Sequence, residues 1–526
     1  MTREVLEAEG SRDVDGVLVG IDAGLTSIKA VAFAPDGEIV NVASGSTPVD
    51  CPARNRREVE LEKLWDCVTS LIRRLVENGP FRSSDVLAVG VAGHGHGLYA
   101  LDEDGEQVRP GIKSTDSRAT DVVAEWEADG TARIVQKRLG YAPFAADPLS
   151  LLEWVKRNEP DAYDRIRRLL FCKDYLKYRL TGRACTDEME ASVFRDPNSN
   201  EYDREVFEAL GHESCFDALP DVVPSDDCCG SVTATAATET GLEEGTQVAS
   251  GLHDVGATAL GVGAHTPHQG VLIVGTWGQS IVVLDEPTPE TGDGSEGEPH
   301  GLTRRFLDGW IRYKGNRSAA ACVDWFVRNV GHEWRQRAAS ESVDEFEMYN
   351  RVVSDVPAGA EGLLFHPYLD GSTDNATDGG GFYGLRSDHT SGHMLRSIYE
   401  GVAIAQVSRL RELAPQSGLK GVRFGGGGAR SDVWSDIFAS TLGDEIVVST
   451  GREAGARGTA ICAAIASGLY QDHETAVDRM VPTGRIHEPD RELLELYRER
   501  RDIFEDALES VRPIWRRLNR CEREQQ

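Results

Sequence analysis

One carboxylate in this 526-residue chain stands where general-base chemistry could happen. Asp254 lies in GLHDVGATALGVG, residues 251–263, almost midway along the sequence. Before it, residues 248–250 read as a buried strand running into a turn. After it, the small side chains of ATALGVG predict a tightly packed helix N-terminus. A carboxylate at such a junction is held by backbone on one face and open on the other, which suits proton abstraction. An ordinary helix N-cap is the competing reading, since Asp before a helix usually caps it.

A second carboxylate, Asp22, ends the apolar run of VLVGIDAGLTSIKAVAFA and is followed by Gly24, Thr26 and Ser27. A strand-end carboxylate backed by amides and hydroxyls can hold a hydrated Mg²⁺ and the terminal phosphates of a nucleotide. Lys29 would add a point charge if its side chain turned the same way. A plain hairpin turn is the alternative. Gly275 and Thr276 form a matching turn in the second half. FGGGGARS, residues 424–431, places glycines where backbone can approach a flat or anionic ligand, ahead of a helix N-terminus. It is neither a Walker loop nor a GxGxxG turn, and a flexible connector would look the same.

GHGHG, residues 93–97, sets His94 and His96 on one side of an extended strand. A metal pair would lack a third ligand, so hydrogen bonding to sugar hydroxyls is the better use of these rings. Asp116 in STDSRA is a loop carboxylate with Arg118 two residues on, and a surface ion pair explains it equally well. Cys228 and Cys229 read as a vicinal buried pair.

These residues need a frame. Residues 17–34 predict a hairpin, 58–78 a helix with apolar residues at helical spacing, 86–91 a short buried strand and 98–105 another hairpin. Helices are expected over 147–157 and 174–180. Residues 270–284, GVLIVGTWGQSIVVL, repeat the opening hairpin, which suggests a duplicated α/β architecture. A polar loop is expected over 287–299, then helices over 319–330, 395–413, 431–442, 455–468 and 490–518.

The length predicts two domains. Apolar content is 40%, with no run long enough to span a bilayer, and the acidic first residues show no secretion signal. The scattered cysteines fit a reducing cytoplasm. Acidic residues number 87 against 56 basic ones, a net charge of −31 spread along the chain, and Lys is scarce. That composition suits a halophilic cytoplasm, where screening shortens self-repulsion. Nothing concentrates positive charge, so duplex nucleic acid is not an expected partner.

Taken together, the motifs resemble the FGGY carbohydrate kinases of the actin-like, ribonuclease-H-like ATPase superfamily. The stretches IDAGLTSIKA, GHGHGLYALDEDGEQVRPGIKSTDSRA, KDYLKYRLTGRACTDEMEAS, GLHDVGATALG, GTWGQS, LLFHPYLDGS, GFYGLRSDHTSGHMLRSIYEGVA and FGGGGARSDVWSDIFASTLG occur in the family's order. GTW, HGLYALD, PYLDGS with GFYG, and IYEGV are similar to the L-xylulose and 3-keto-L-gulonate kinase branch.

The resemblance implies an α/β fold of two ribonuclease-H-like domains around a central cleft. After an acidic lead at 1–15, residues 16–255 would be the sugar-binding domain and 256–512 the nucleotide-binding one, with a tail at 513–526. It implies an ATP- and Mg²⁺-dependent kinase acting on a ketopentose or related keto-sugar. Asp254 would be the catalytic base, and His96, Asp116, His253 and Asp254 would contact the sugar. Asp22 would hold Mg²⁺ through water. Gly24, Thr26, Ser27, Lys29, Gly275, Thr276, Gly426, Gly427, Gly428 and Ala429 would bind ATP. Domain closure would exclude water, the competing phosphoryl acceptor.

Departures fall at Leu25, where many members carry Thr, at His94 and His96 in place of Met-His, and at residues 113–115 in place of a Trp-containing stretch. A polyol kinase acting on erythritol or glycerol is the alternative within enzymes, and a non-catalytic actin-like module the alternative outside them. A homodimer is compatible with this reading.

Overall fold

A computed structural model describes residues 16–287, 302–373, 375, 377–482 and 484–523. The acidic lead, the polar loop from residue 288 onward and the last three residues of the tail lie outside the described residues. The chain forms two compact units. The first runs through Gly263 and takes back Arg304–Asp308 and Glu453–Pro482; the second holds the remainder. The helix Asp254–Gly261 stays with the first unit because the helix Ala454–Ala466 packs against it.

In the first unit, β1 (Val17–Ala23), β2 (Ser27–Phe33), β3 (Ile39–Ser46), β4 (Val86–Gly93), β5 (Cys228–Ser231), β6 (Gln247–Ala249) and β7 (Leu252–His253) share one sheet. The order is β5-β6-β4-β1-β2-β3, with β7 also on β4. β1 and β4 are parallel and almost wholly buried, as their continuous apolar runs require. The helix Leu61–Asn78 covers part of this core with Leu61, Leu64, Trp65, Val68, Leu71, Ile72 and Leu75, the positions that its periodicity predicts.

The second unit repeats the scheme. β8 (Gly270–Val274), β9 (Gly278–Leu284), β10 (Gly309–Asn316), β11 (Val422–Gly425), β12 (Ile446–Val448) and β13 (Ile486–His487) run in the order β10-β9-β8-β11-β12-β13. In both sheets an antiparallel hairpin plus a third antiparallel strand adjoins two parallel strands and an antiparallel edge. The duplication read from two hairpins therefore extends through six strands. The helix Ser391–Leu413 is buried along most of its length against this second sheet.

Three local expectations change. Tyr99–Leu101 pairs mainly with Arg168–Leu170 rather than across its own turn, because both short strands bury their apolar residues together. His94 and His96 do not share an extended strand: β4 ends at Gly93, and His96 takes a left-handed φ of 58°. Cys228 is exposed and only Cys229 is buried. No helix among the described residues is long and apolar enough to cross a membrane.

Candidate active site

Strand register in the first unit collects the expected chemistry at one sheet edge. β4 lies between β1 and β7, pairing Ala92 with both Asp22 and Leu252, and Gly93 with both Ala23 and His253. Asp22 thus lies at the carboxyl end of β1, His94 just past β4 and Asp254 just past β7. Carboxyl ends of parallel strands are where α/β sheets present ligand-binding groups.

Asp254 is the first residue of its helix and does not cap it. His253 is the cap: its ring Nδ1 accepts the Val255 amide at 3.2 Å. Burial, then the charge of Arg304, lowers the His253 pKa to about 3, so the ring is neutral. Its Nδ1 lies 3.3 Å from Asp254 Oδ1, which is therefore a contact between an acceptor and a carboxylate, not an ion pair. The Asp254 side chain keeps 32% of its surface exposed. Loss of solvent on its protein side, followed by the Asp22 charge, still raises its pKa to about 7. That leaves a carboxylate whose proton affinity suits a base near neutrality.

Asp22 is pushed up to about 6, chiefly by burial; Lys29 opposes the shift and Glu453 adds to it. Lys29 is not a loose point charge, since its Nζ lies 2.6 Å from Glu453 Oε2. The first turn of the helix Ala454–Ala466 comes so close that a Cβ on Gly455 would stand 2.3 Å from Asp22 Oδ2. Among the described residues no group of three or more His, Cys, Asp or Glu is arranged to hold a metal ion. A single carboxylate fits a Mg²⁺ ion that keeps its waters and takes its other ligands from phosphates.

The turn after Asp22 is braced from several sides. The Gly24 amide donates to the Ser27 carbonyl at 3.1 Å, and the Thr47 hydroxyl to the Gly24 carbonyl at 2.7 Å. Buried Lys113 donates to the Leu25 carbonyl at 2.9 Å. Thr26 and Ser27 remain exposed. Backbone therefore holds this turn in shape, and the missing hydroxyl at Leu25 is not part of that bracing.

Among the sugar-facing candidates, His96 is buried, and its Nδ1 has no hydrogen-bond partner among the described residues. Its ring meets Phe144 edge-on at 4.8 Å and lies 6.3 Å from the His253 ring. His94 shares a hydrogen bond with the Tyr99 hydroxyl at 3.0 Å. Asp116 is not a surface group. Its carboxylate is fully buried, accepts the Arg57 amide at 2.6 Å and grips Arg118 through Nε at 2.9 Å and Nη2 at 2.8 Å. Arg118 also reaches Glu58 at 2.8 Å. These bonds occupy both Asp116 oxygens, so it braces the loop that follows Lys113.

The second unit joins its own glycine turns. The carbonyls of Gly275 and Thr276 accept the Ala320 amide at 2.9 Å and the Ala319 amide at 3.0 Å, which fixes the turn between β8 and β9. Gly426 has a φ of 89°, and a Cβ there would lie 2.6 Å from the Val274 carbonyl oxygen at the end of β8. Gly428 packs on Val274 and Trp434, while a Cβ on Gly427 would meet no atom of the described residues within 4 Å. The turn at Gly275 and Thr276 and the loop from Gly426 to Ala429 are thus neighbours, followed by a helix that Ser431 caps.

Several functional neighbours escaped the sequence reading. Arg304 stacks over Tyr141 at 4.4 Å and bears electrostatically on both His96 and His253. Glu453, Gly455 and Arg304 come from distant parts of the chain, and no local pattern announces them. Lys173, Asp174, Lys177, Asp187 and Glu190 were visible as charges inside KDYLKYRLTGRACTDEMEAS, a stretch that is otherwise largely buried.

Comparison with known proteins bears on this geometry. Residues 17–261 match the N-terminal domain of the FGGY family of carbohydrate kinases, and residues 270–467 match its C-terminal domain. The chain is 28% identical to the L-xylulose/3-keto-L-gulonate kinase of Escherichia coli (strain K12), over 95% of this chain and 98% of that one. It is 26% identical to the erythritol kinase of Brucella abortus (strain 2308), over 96% and 98%. The crystal structure of xylulose kinase from Rhodospirillum rubrum superposes with a TM-score of 0.84 at 26% identity, covering 95% of this chain and all of that one. Two family domains matched in order, with relatives that are sugar kinases aligned along nearly the whole chain, lead to one conclusion: the chain belongs to the FGGY family of carbohydrate kinases and is an ATP-dependent sugar kinase.

Proposed function

We propose that this kinase phosphorylates a hydroxyl of a xylulose-type keto-sugar, with Asp254 as the base. The carrying observation is Asp254 itself, on a helix N-terminus beside Asp22, with a pKa raised to about 7. In the step, the sugar hydroxyl oxygen bonds to the γ-phosphorus, the bond to the ADP oxygen breaks, and the hydroxyl proton passes to the Asp254 carboxylate. Phosphoryl transfer needs mainly positioning and charge neutralisation, so one base and well-set phosphate contacts suffice.

His96 and His253 are the proposed sugar contacts, while Asp116, whose carboxylate oxygens are taken up by Arg57 and Arg118, would brace the loop that follows Lys113. Gly24, Thr26, Ser27 and Lys29 are proposed for the phosphates, and Gly275, Thr276 and Gly426 to Ala429 for the rest of the nucleotide. Asp22 would hold hydrated Mg²⁺, which when bound neutralises phosphate charge. Acceptor groups would come from the first unit and adenosine contacts from the second. The dispersed charge of −31 supports a salt-rich cytoplasm as the working environment.

Similarity to kinases named for L-xylulose, 3-keto-L-gulonate and xylulose supports a keto-sugar. Likeness to an erythritol kinase keeps a tetritol as the second reading. The test is ADP release in molar KCl with Mg²⁺–ATP against D- and L-xylulose, D- and L-ribulose, 3-keto-L-gulonate, erythritol and glycerol. One strongly preferred keto-sugar is expected. A preference for erythritol or glycerol would overturn the substrate class.

A further inference from the structure

The buried charges beside the active site include one carboxyl more than their cations balance. Lys173 Nζ lies 2.5 Å from Asp174 Oδ1 and 2.7 Å from Asp187 Oδ1. Lys177 Nζ lies 3.2 Å from the same Asp174 oxygen and donates to the Ser250 carbonyl at 2.8 Å. Two lysines thus meet two aspartates. Glu190, on the short helix Glu188–Ala191, is only 2% exposed and adds a third carboxyl, whose Oε1 has no hydrogen-bond partner among the described residues.

A buried carboxyl oxygen without a partner is costly unless something else satisfies it. The surroundings indicate what that is. A Cβ built on Gly95 would stand 1.9 Å from His253 Cδ2 and 2.1 Å from its Nε2, and 3.3 Å from Glu190 Oε2. The His253 ring edge and the Glu190 carboxyl therefore face the same residue of the GHGHG loop. The next residue of that motif, His96, is 8% exposed, has an Nδ1 without a hydrogen-bond partner among the described residues and lies 6.3 Å from the His253 ring. Two buried side chains, each with one polar atom unpartnered among the described residues, thus flank one histidine, and that histidine adjoins Asp254 in sequence.

We propose that Glu190 is a substrate-specifying residue: with His96 it hydrogen-bonds a sugar oxygen near the hydroxyl that Asp254 deprotonates. This rests on the keto-sugar kinase reading and adds to it a group that selects among epimers. Burial first, then the neighbouring charges of Asp174, Asp187 and Asp254, holds the Glu190 proton affinity well above the carboxylate range despite Lys173. A protonated carboxyl both donates and accepts, so it can read a hydroxyl or a carbonyl oxygen.

The test is steady-state kinetics of wild type, Glu190→Gln and Glu190→Ala, varying each sugar and then Mg²⁺–ATP, with melting temperatures alongside. The expected result is a sugar KM at least about tenfold higher in Glu190→Ala, with the ATP KM within about twofold of wild type. Glu190→Gln should restore most sugar affinity but change the preference between xylulose and ribulose epimers by about threefold or more. An unchanged sugar KM and epimer preference, with only a lower melting temperature, would assign Glu190 to structure and overturn the proposal. If Glu190→Ala does not fold, the epimer preference of Glu190→Gln decides in the same sense. Wild-type turnover is scored first: silence on every keto-sugar would overturn the keto-sugar reading and this proposal together, whereas an active wild type with indifferent variants would overturn Glu190 alone.

Discussion

Asp22 and Gly455 are packed so closely that residue 455 cannot carry a side chain without moving the carboxylate, since a Cβ would lie 2.3 Å from Asp22 Oδ2. Alanine is a better helix former than glycine, and Gly455 is the second residue of its helix. Gly455→Ala should therefore fold normally and turn Asp22 away. The expected result is a melting temperature within a few degrees of wild type and a loss of at least about tenfold in kcat/KM for Mg²⁺–ATP. Wild-type kinetics at every Mg²⁺ concentration would show that the Asp22 position does not matter.

Asp254→Asn keeps shape and removes the base. Turnover should fall by about 10²–10⁴, the usual contribution of a positioned base, with ATP affinity kept. Rapid-quench measurement of sugar phosphate separates this from slow product release. Turnover like that of wild type would remove Asp254 from the mechanism.

How much of this was legible in the sequence follows from distance along the chain. Asp22 and Asp254 could be found because each ends an apolar run that must be a strand, and small residues follow. The bonds that set them could not. Lys29 and Glu453 are 424 residues apart, and nothing near either marks the other. Asp116 looked like a surface partner for Arg118 because two residues separate them. Its burial depends on Arg57 and on Arg118 reaching Glu58, contacts made only once the chain has folded. Cys228 and Cys229 alternate across a strand, so one faces out, and adjacency alone does not imply shared burial.

Asp254 also makes stability depend on pH. Its folded pKa of about 7 exceeds the ordinary 3.8, so folding favours the protonated acid. That contribution is complete below pH ~4 and is lost as pH rises through about 7. Asp254→Asn imitates the protonated form. Its melting temperature should match wild type near pH 4 and exceed it at pH 8. Activity runs the other way, because the base must be ionised: wild-type kcat/KM should climb toward a plateau above pH ~7. A melting difference independent of pH would contradict the raised proton affinity.

The net charge of −31 sets a further expectation. Self-repulsion is felt over ~30 Å at 0.01 M salt and ~3 Å at 1 M. The melting temperature should rise steeply with KCl across that range. A flat profile would remove the halophilic reading while leaving the kinase intact.

The helix that carries Asp254 is set by a contact that has no slack. A Cβ on Gly458 would lie 1.9 Å from the Ala257 carbonyl oxygen and 2.6 Å from its carbon, so backbone rather than a side-chain tip must yield. Ala257 is one turn beyond Asp254 on the same helix. Gly458→Ala should therefore cost about 1–3 kcal/mol of stability by overpacking. It should also displace Asp254, lowering kcat at a temperature where the variant is still fully folded by circular dichroism. Loss of stability with kcat intact would mean that the Asp254 helix moves without disturbing the base, and the tight contact would then serve only the fold.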